Sequence, residues 1–297
     1  MKIFEGSCTA IITPFDKENK VDFETFKRMI DFQLANKTKA IVFMGTTGEA
    51  STLTLEEKVD ICKFAVEYVN HRVPVIVGSG GNNTADVIEK SQMFERLGAD
   101  ALLIVTPYYN KATQNGLIEH YTKIANHVSL PIILYNVPTR TAVNLAPETV
   151  LKLSKIKNIV GLKEASSDLN QIHELFRILP KDFAIYSGDD ANIYTLLALG
   201  GSGVISVVSN ILPEKTALLC EDFFRGGIQN AKEAQLEMLT LIKCLFSEVN
   251  PIPVKYAAKL MGFGNGETRL PLTILSEEKR PPLVEEMKKF TQLTSDN

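Results

Sequence analysis

The chain has 297 residues, 45% of them hydrophobic, with 32 lysines and arginines against 35 aspartates and glutamates. A net charge of −3 and a pI near 5.9 argue against nucleic acid or an anionic membrane surface as partner. No apolar run is long enough to span a bilayer, and the start MKIFEGSCTAIITPFD lacks the pattern of a signal peptide.

Eight β-like runs follow one another, beginning at Ser7, Ala40, Val73, Ala101, Pro131, Asn158, Phe183 and Gly203. Amphipathic helices are predicted between most of them. Asp22 opens the first, and Thr54 opens the second with a capping-box pattern completed by Glu57. The alternation continues at 84–98, 114–128, 147–155, 168–179 and 191–199, the last closed by Gly200, Gly201 and Gly203. After the eighth strand the pattern turns wholly helical, at 213–224, about 230–247, 251–261 and 277–293.

Alternating apolar strands and helices predict a parallel sheet with right-handed crossovers, and eight units favour closure into a (β/α)8 TIM barrel. The expected organisation is a barrel over 1–211 and an appended helical region over 212–297. An open doubly wound sheet with a dinucleotide site is the alternative, but GSGGNN (Gly78 to Asn83) is not G-x-G-x-x-G. Cys8, Cys62, Cys220 and Cys244 are scattered with no C-x-x-C pair, which fits reduced thiols in a cytoplasmic protein. His120 and His127 share a spacing that puts them on one helix face; without H-E-x-x-H they read as ordinary helix residues.

In such a barrel the site lies at the C-terminal ends of the strands. Those ends carry GTTGE (Gly45 to Glu49), TPYYN (Thr106 to Asn110), YNVPTR (Tyr135 to Arg140), Lys163-Glu164, Gly188-Asp189-Asp190 and Ile205-Ser206. Each cluster alone is a weak signal; their common placement is a strong one. Lys163 interrupts the apolar run NIVGLKEAS, where burial disfavours the ammonium and leaves an amine able to attack a carbonyl carbon. The plain alternative is a lysine that snorkels to water from the strand end. GTTGE offers two hydroxyls and flexible backbone N–H groups to a small carboxylate, or simply a turn with local caps. Tyr135 is placed to shuttle a proton, or to pack as an ordinary buried phenol; Arg140 is placed to clamp a second carboxylate, or to stay at the surface. Tyr108 and Tyr109 are loop aromatics or face another subunit. Glu164, Asp189 and Asp190 have no accompanying histidine, so a metal site is not expected.

Taken together, GTTGE, TPYYN, ILYNVPTRT, GLKEAS, SGDD, GVISVVSN and NPIPVK resemble the dihydrodipicolinate synthase family of pyruvate-dependent Schiff-base aldolases, in order and over nearly the whole chain. The resemblance implies a barrel with a C-terminal helical region, a homotetramer built as a dimer of dimers, and no cofactor. It implies Lys163 as the Schiff-base lysine, Thr47, Tyr135 and Tyr109 as a proton relay with Tyr109 reaching in from a neighbouring subunit, and Thr46 and Thr47 as pyruvate contacts. Arg140 would hold the carboxylate of aspartate semialdehyde, while Gly188 and Ile205 would line the pocket through their backbones. The family's lysine-inhibited members imply a regulatory site near Ala50, Ser51, Leu55, Lys58, Asn82, Asp86 and Tyr108. Here Asp86 replaces a glutamate, and Leu55 and Lys58 stand where sensitive members carry histidines. Two other readings remain: a lyase that cleaves a sugar acid to pyruvate, and a non-enzymatic barrel that binds a metabolite.

Overall fold

Eight parallel strands form: β1 (Gly6–Ala10), β2 (Ala40–Phe43), β3 (Val75–Gly78), β4 (Ala101–Val105), β5 (Ile132–Asn136), β6 (Ile159–Glu164), β7 (Ala184–Ser187) and β8 (Gly203–Ser206). Each pairs with its sequence neighbour and β8 pairs back onto β1, closing the barrel. These assignments come from a computed structural model that describes residues 2–293. The expected spans 1–211 and 212–297 include Met1 and 294–297, which lie outside the described residues.

The strands are buried on both faces because two separate apolar layers meet them. Residues that alternate inward, such as Ala40 and Val42 on β2 or Ile133 and Tyr135 on β5, fill the barrel interior. Their neighbours Ile41, Phe43, Leu134 and Leu162 face outward into a much larger layer beneath the helices. The same alternation turns Lys163 inward and Glu164 outward on β6, so adjacent charges have unlike surroundings.

Local caps set the helices. Asp22 accepts from Thr25 N ahead of Phe23–Ala35, and Thr54 and Glu57 form the reciprocal capping box ahead of Leu55–Val69. After β8 come Pro213–Phe224, Ile228–Leu245, Ile252–Leu260 and Arg280–Met287. The last is shorter than the predicted 277–293. Pro281 and Pro282 fit only a first helical turn, so 277–279 form a separate 3₁₀ turn; Phe290 and Leu293 pack on the core from irregular chain beyond Met287. The predicted helix 114–128 likewise ends at Ala125, which places His127 past its end, bonded to Lys123 O at 2.7 Å, while His120 is buried. A four-residue helix, Pro138–Thr141, was not predicted; it carries Arg140 over the rim.

Candidate active site

Lys163 sits near the end of β6 between Tyr135 of β5 and Tyr186 of β7, in direct strand register with both. Only 6% of it is exposed. Its Nζ lies over the Tyr135 ring, 4.5 Å from the centroid, and has no hydrogen-bond or ion-pair partner among the described residues. Tyr186 is not a further proton donor toward it: its hydroxyl bonds to Phe4 O at 2.9 Å, stacked on the Phe4 ring. Gly188 makes room for the lysine. A Cβ there would lie 3.0 Å from both Cγ and Cε of Lys163 and 2.8 Å from the Ala165 side chain. Cys8 and Ile205, paired across β1 and β8, are fully buried in the interior layer; burial pushes the Cys8 thiol pKa up, away from reactive thiolate.

GTTGE forms a tight turn after β2. The N–H groups of Gly48, Glu49 and Ala50 close it onto Gly45 and Thr46 carbonyls. The N–H groups of Thr46 and Thr47 have no acceptor among the described residues, so these two, rather than the loop as a whole, can bind a carboxylate. Residues from the C-terminal helical region hold the turn from outside. Asn250 Nδ2 donates to Thr47 Oγ1 at 2.9 Å, and Lys255 Nζ meets Glu49 Oε1 at 2.5 Å with both side chains only 2% exposed. Arg269 donates its backbone N–H to Glu49 Oε2 and pairs through its guanidinium with Glu57. Phe15 lies between the two cations, 4.0 Å from Lys255 Nζ and 4.2 Å from the Arg269 guanidinium carbon. Burial pulls the Lys255 pKa down, partly offset by Glu49. Sequence reasoning gave no role to Asn250, Lys255 or Arg269. The signal for the first two was NPIPVK, quoted as a motif but unreadable as geometry without knowing what it packs against.

A cavity of about 440 Å³ opens on this rim. It brings Thr46, Tyr135 and Arg140 together with Ala50, Ser51, Lys58 and Tyr108 from the expected regulatory set, and Lys163 adjoins it through Tyr135. Leu55, Asn82 and Asp86 do not line it; Leu55 and Asp86 are exposed, and Asn82 O accepts from Asn110 Nδ2. Lys90, which the sequence did not single out, lines it beside Lys58. Burial first, and then the Lys90 charge, pull the Lys58 pKa down. Arg140 Nη2 donates to Asn250 O at 3.2 Å. Tyr109 is 89% exposed, held at φ +73°, and makes no hydrogen bond with Thr47 or Tyr135 within the chain.

The rim acids are committed elsewhere. Glu164 accepts from Asn136, Ser166 and Gln171, and burial raises its pKa. Asp190 accepts the N–H groups of Val207 and Val208, and Asp189 caps the turn at Ala191. The outward-facing Glu164 therefore braces the strand that presents Lys163, on the opposite side of the sheet.

The family model described as "Dihydrodipicolinate synthetase family" matches residues 3–290. A protein of Alkaliphilus oremlandii named 4-hydroxy-tetrahydrodipicolinate synthase is 51% identical over 287 residues, 97% of this chain and 99% of that one. The crystal structure of dihydrodipicolinate synthase from Thermotoga maritima superposes with a TM-score of 0.95 at 42% identity, covering 97% of this chain and 99% of that chain. The chloride-inhibited dihydrodipicolinate synthase of Acinetobacter baumannii, solved with pyruvate, gives 0.94 at 44% identity over 97% and 98%.

Proposed function

The chain belongs to the dihydrodipicolinate synthetase family, and from that premise we propose that its rim condenses pyruvate with L-aspartate 4-semialdehyde to 4-hydroxy-tetrahydrodipicolinate. One observation carries the reading to this chain's own atoms: a buried lysine amine with no anionic partner among the described residues, lying on the face of a tyrosine beside a cavity.

The Lys163 amine attacks the ketone carbon of pyruvate, and loss of water leaves an iminium. The iminium nitrogen takes the electron pair as a methyl proton departs, giving an enamine whose carbon adds to the aldehyde of the second substrate. The amine of that substrate then attacks the iminium carbon, closes the ring and releases Lys163. Tyr135 moves protons in these steps, with Thr47 as its partner in the relay. The Thr46 and Thr47 N–H and hydroxyl groups hold the pyruvate carboxylate, and Arg140 holds the carboxylate of the semialdehyde. Gly188 contributes by leaving space for Lys163, and Ile205 by its backbone. The scheme draws on no metal or cofactor, because the iminium is itself the electron sink.

Tyr109 supports an assembled enzyme. An aromatic that is almost wholly exposed, at the tip of a loop beside the rim, is suited to completing the relay of a second copy. The assembly we propose is a homotetramer made of two such dimers, working in the cytoplasm, where buried free thiols such as Cys8, Cys62 and Cys220 stay reduced.

The test is a panel of aldehydes offered with pyruvate. Turnover should be confined to aspartate semialdehyde. Comparable rates with N-acetylmannosamine or glyceraldehyde would replace this reading with a sugar-acid lyase.

A further inference from the structure

We infer that Asn250, from the C-terminal helical region, is a positioning residue that sets the direction of the Thr47 hydroxyl proton. The inference rests on the relay role proposed for Thr47. The amide Nδ2 is a donor only, so in the 2.9 Å bond to Thr47 the hydroxyl oxygen must accept. That occupies one lone pair of Oγ1 and turns its proton away from Asn250. No described residue accepts that proton, which leaves it available to an acceptor other than Asn250. A threonine hydroxyl without this bond is a free rotor; with it, the donor direction is set before substrate arrives.

Packing does not account for an amide at this position. Asn250 is 5% exposed and its Oδ1 is buried with no hydrogen-bond partner. An unpaired buried carbonyl is costly, and an aliphatic side chain would fill the space without that cost. What the position uses is the donor. The backbone of the same residue has a separate task, because its carbonyl accepts from Arg140. Asn250 therefore touches both sides of the site, the pyruvate turn with its side chain and the second-substrate arginine with its main chain. The Glu49–Lys255 pair and the Arg269 N–H fix the same turn to the same helical region, so the distance from Asn250 to Thr47 is held on both sides of the bond.

The split between side chain and main chain makes the test specific. Asn250→Asp keeps the shape and backbone but offers only acceptors, so the Thr47 hydroxyl turns its proton toward residue 250. Expected is a kcat lower by roughly tenfold or more in the folded fraction, with the KM for aspartate semialdehyde within about twofold of the parent. In a Thr47→Val background, Asn250→Asp should cost nothing further. Asn250→Ser, uncharged and too short to reach Thr47, should reproduce the kcat loss even if the aspartate variant folds poorly. Parental kcat in both variants, or losses that multiply with Thr47→Val, would overturn the inference. A Thr47→Val enzyme with parental kcat would remove Thr47 from the relay and the inference with it. Trapping of pyruvate on Lys163 decides the underlying reading separately.

Discussion

Two lysines of this chain are buried almost equally, and their surroundings assign them opposite work. Lys163 is 6% exposed and Lys255 2%, and each Nζ lies on an aromatic face, Tyr135 for the first and Phe15 for the second. Lys255 also meets Glu49, in a pair closed on the other side by the Arg269 N–H. Lys163 has no such anion among the described residues. A charge buried with its counter-ion fastens two segments 206 residues apart. A lysine buried without one is tied to no second segment, and it adjoins a cavity of about 440 Å³ through Tyr135. On the proposed mechanism, burial alone does not make a nucleophile; the missing carboxylate does.

The comparison breaks most visibly when both lysines are made methionine. Lys163→Met should lower turnover by at least about 10³-fold, roughly 4 kcal/mol of barrier, while stability in urea stays level or rises because an unpaired polar group leaves the interior. Lys255→Met should do the reverse. It strands Glu49, and a broken buried pair costs about 3–5 kcal/mol of stability, read as a lower urea midpoint. The folded fraction should still trap pyruvate on Lys163. Equal stability losses for the two variants would erase the distinction.

A third lysine sharpens it at smaller scale. Lys58 lines the cavity beside Lys90, half-buried. A ligand ammonium held ~4 Å from a fixed charge is repelled by up to ~4 kcal/mol at an effective dielectric near 20, and a third of that is about tenfold in affinity. Lys90 adds a second charge of the same sign. L-lysine should therefore inhibit weakly or not at all at millimolar concentration in a steady-state assay. Half-inhibition well below a millimolar would show that Lys58 swings clear of the site.

The sequence made the barrel legible because continuous apolar runs and capped helices are local patterns, and each strand end could be located without knowing its neighbours. Lys163, Tyr135, Thr46 and Arg140 were singled out in that way, as polar residues at or just beyond strand ends. Asn250, Lys255 and Arg269 were not, because a bond between residues some 200 positions apart leaves no local periodicity. Glu49 illustrates the limit. It was visible as the last letter of GTTGE, yet its partners Lys255 and Arg269 are known only once the chain has closed. Lys90 was hidden for a related reason, since a lysine on an amphipathic helix reads as solvated until a cavity is seen beside it. The helix 277–293 was overdrawn because apolar spacing persists through Phe290 and Leu293 after the backbone has left the helix.

The most direct measurement is reduction with borohydride in the presence of pyruvate, followed by intact mass and peptide mapping. One pyruvyl-derived group per chain, on Lys163 and absent from Lys163→Met, is the expected result. An adduct on Lys255, Lys58 or any other lysine, or no adduct from an enzyme that still turns over, would contradict the assignment of Lys163 as the nucleophile.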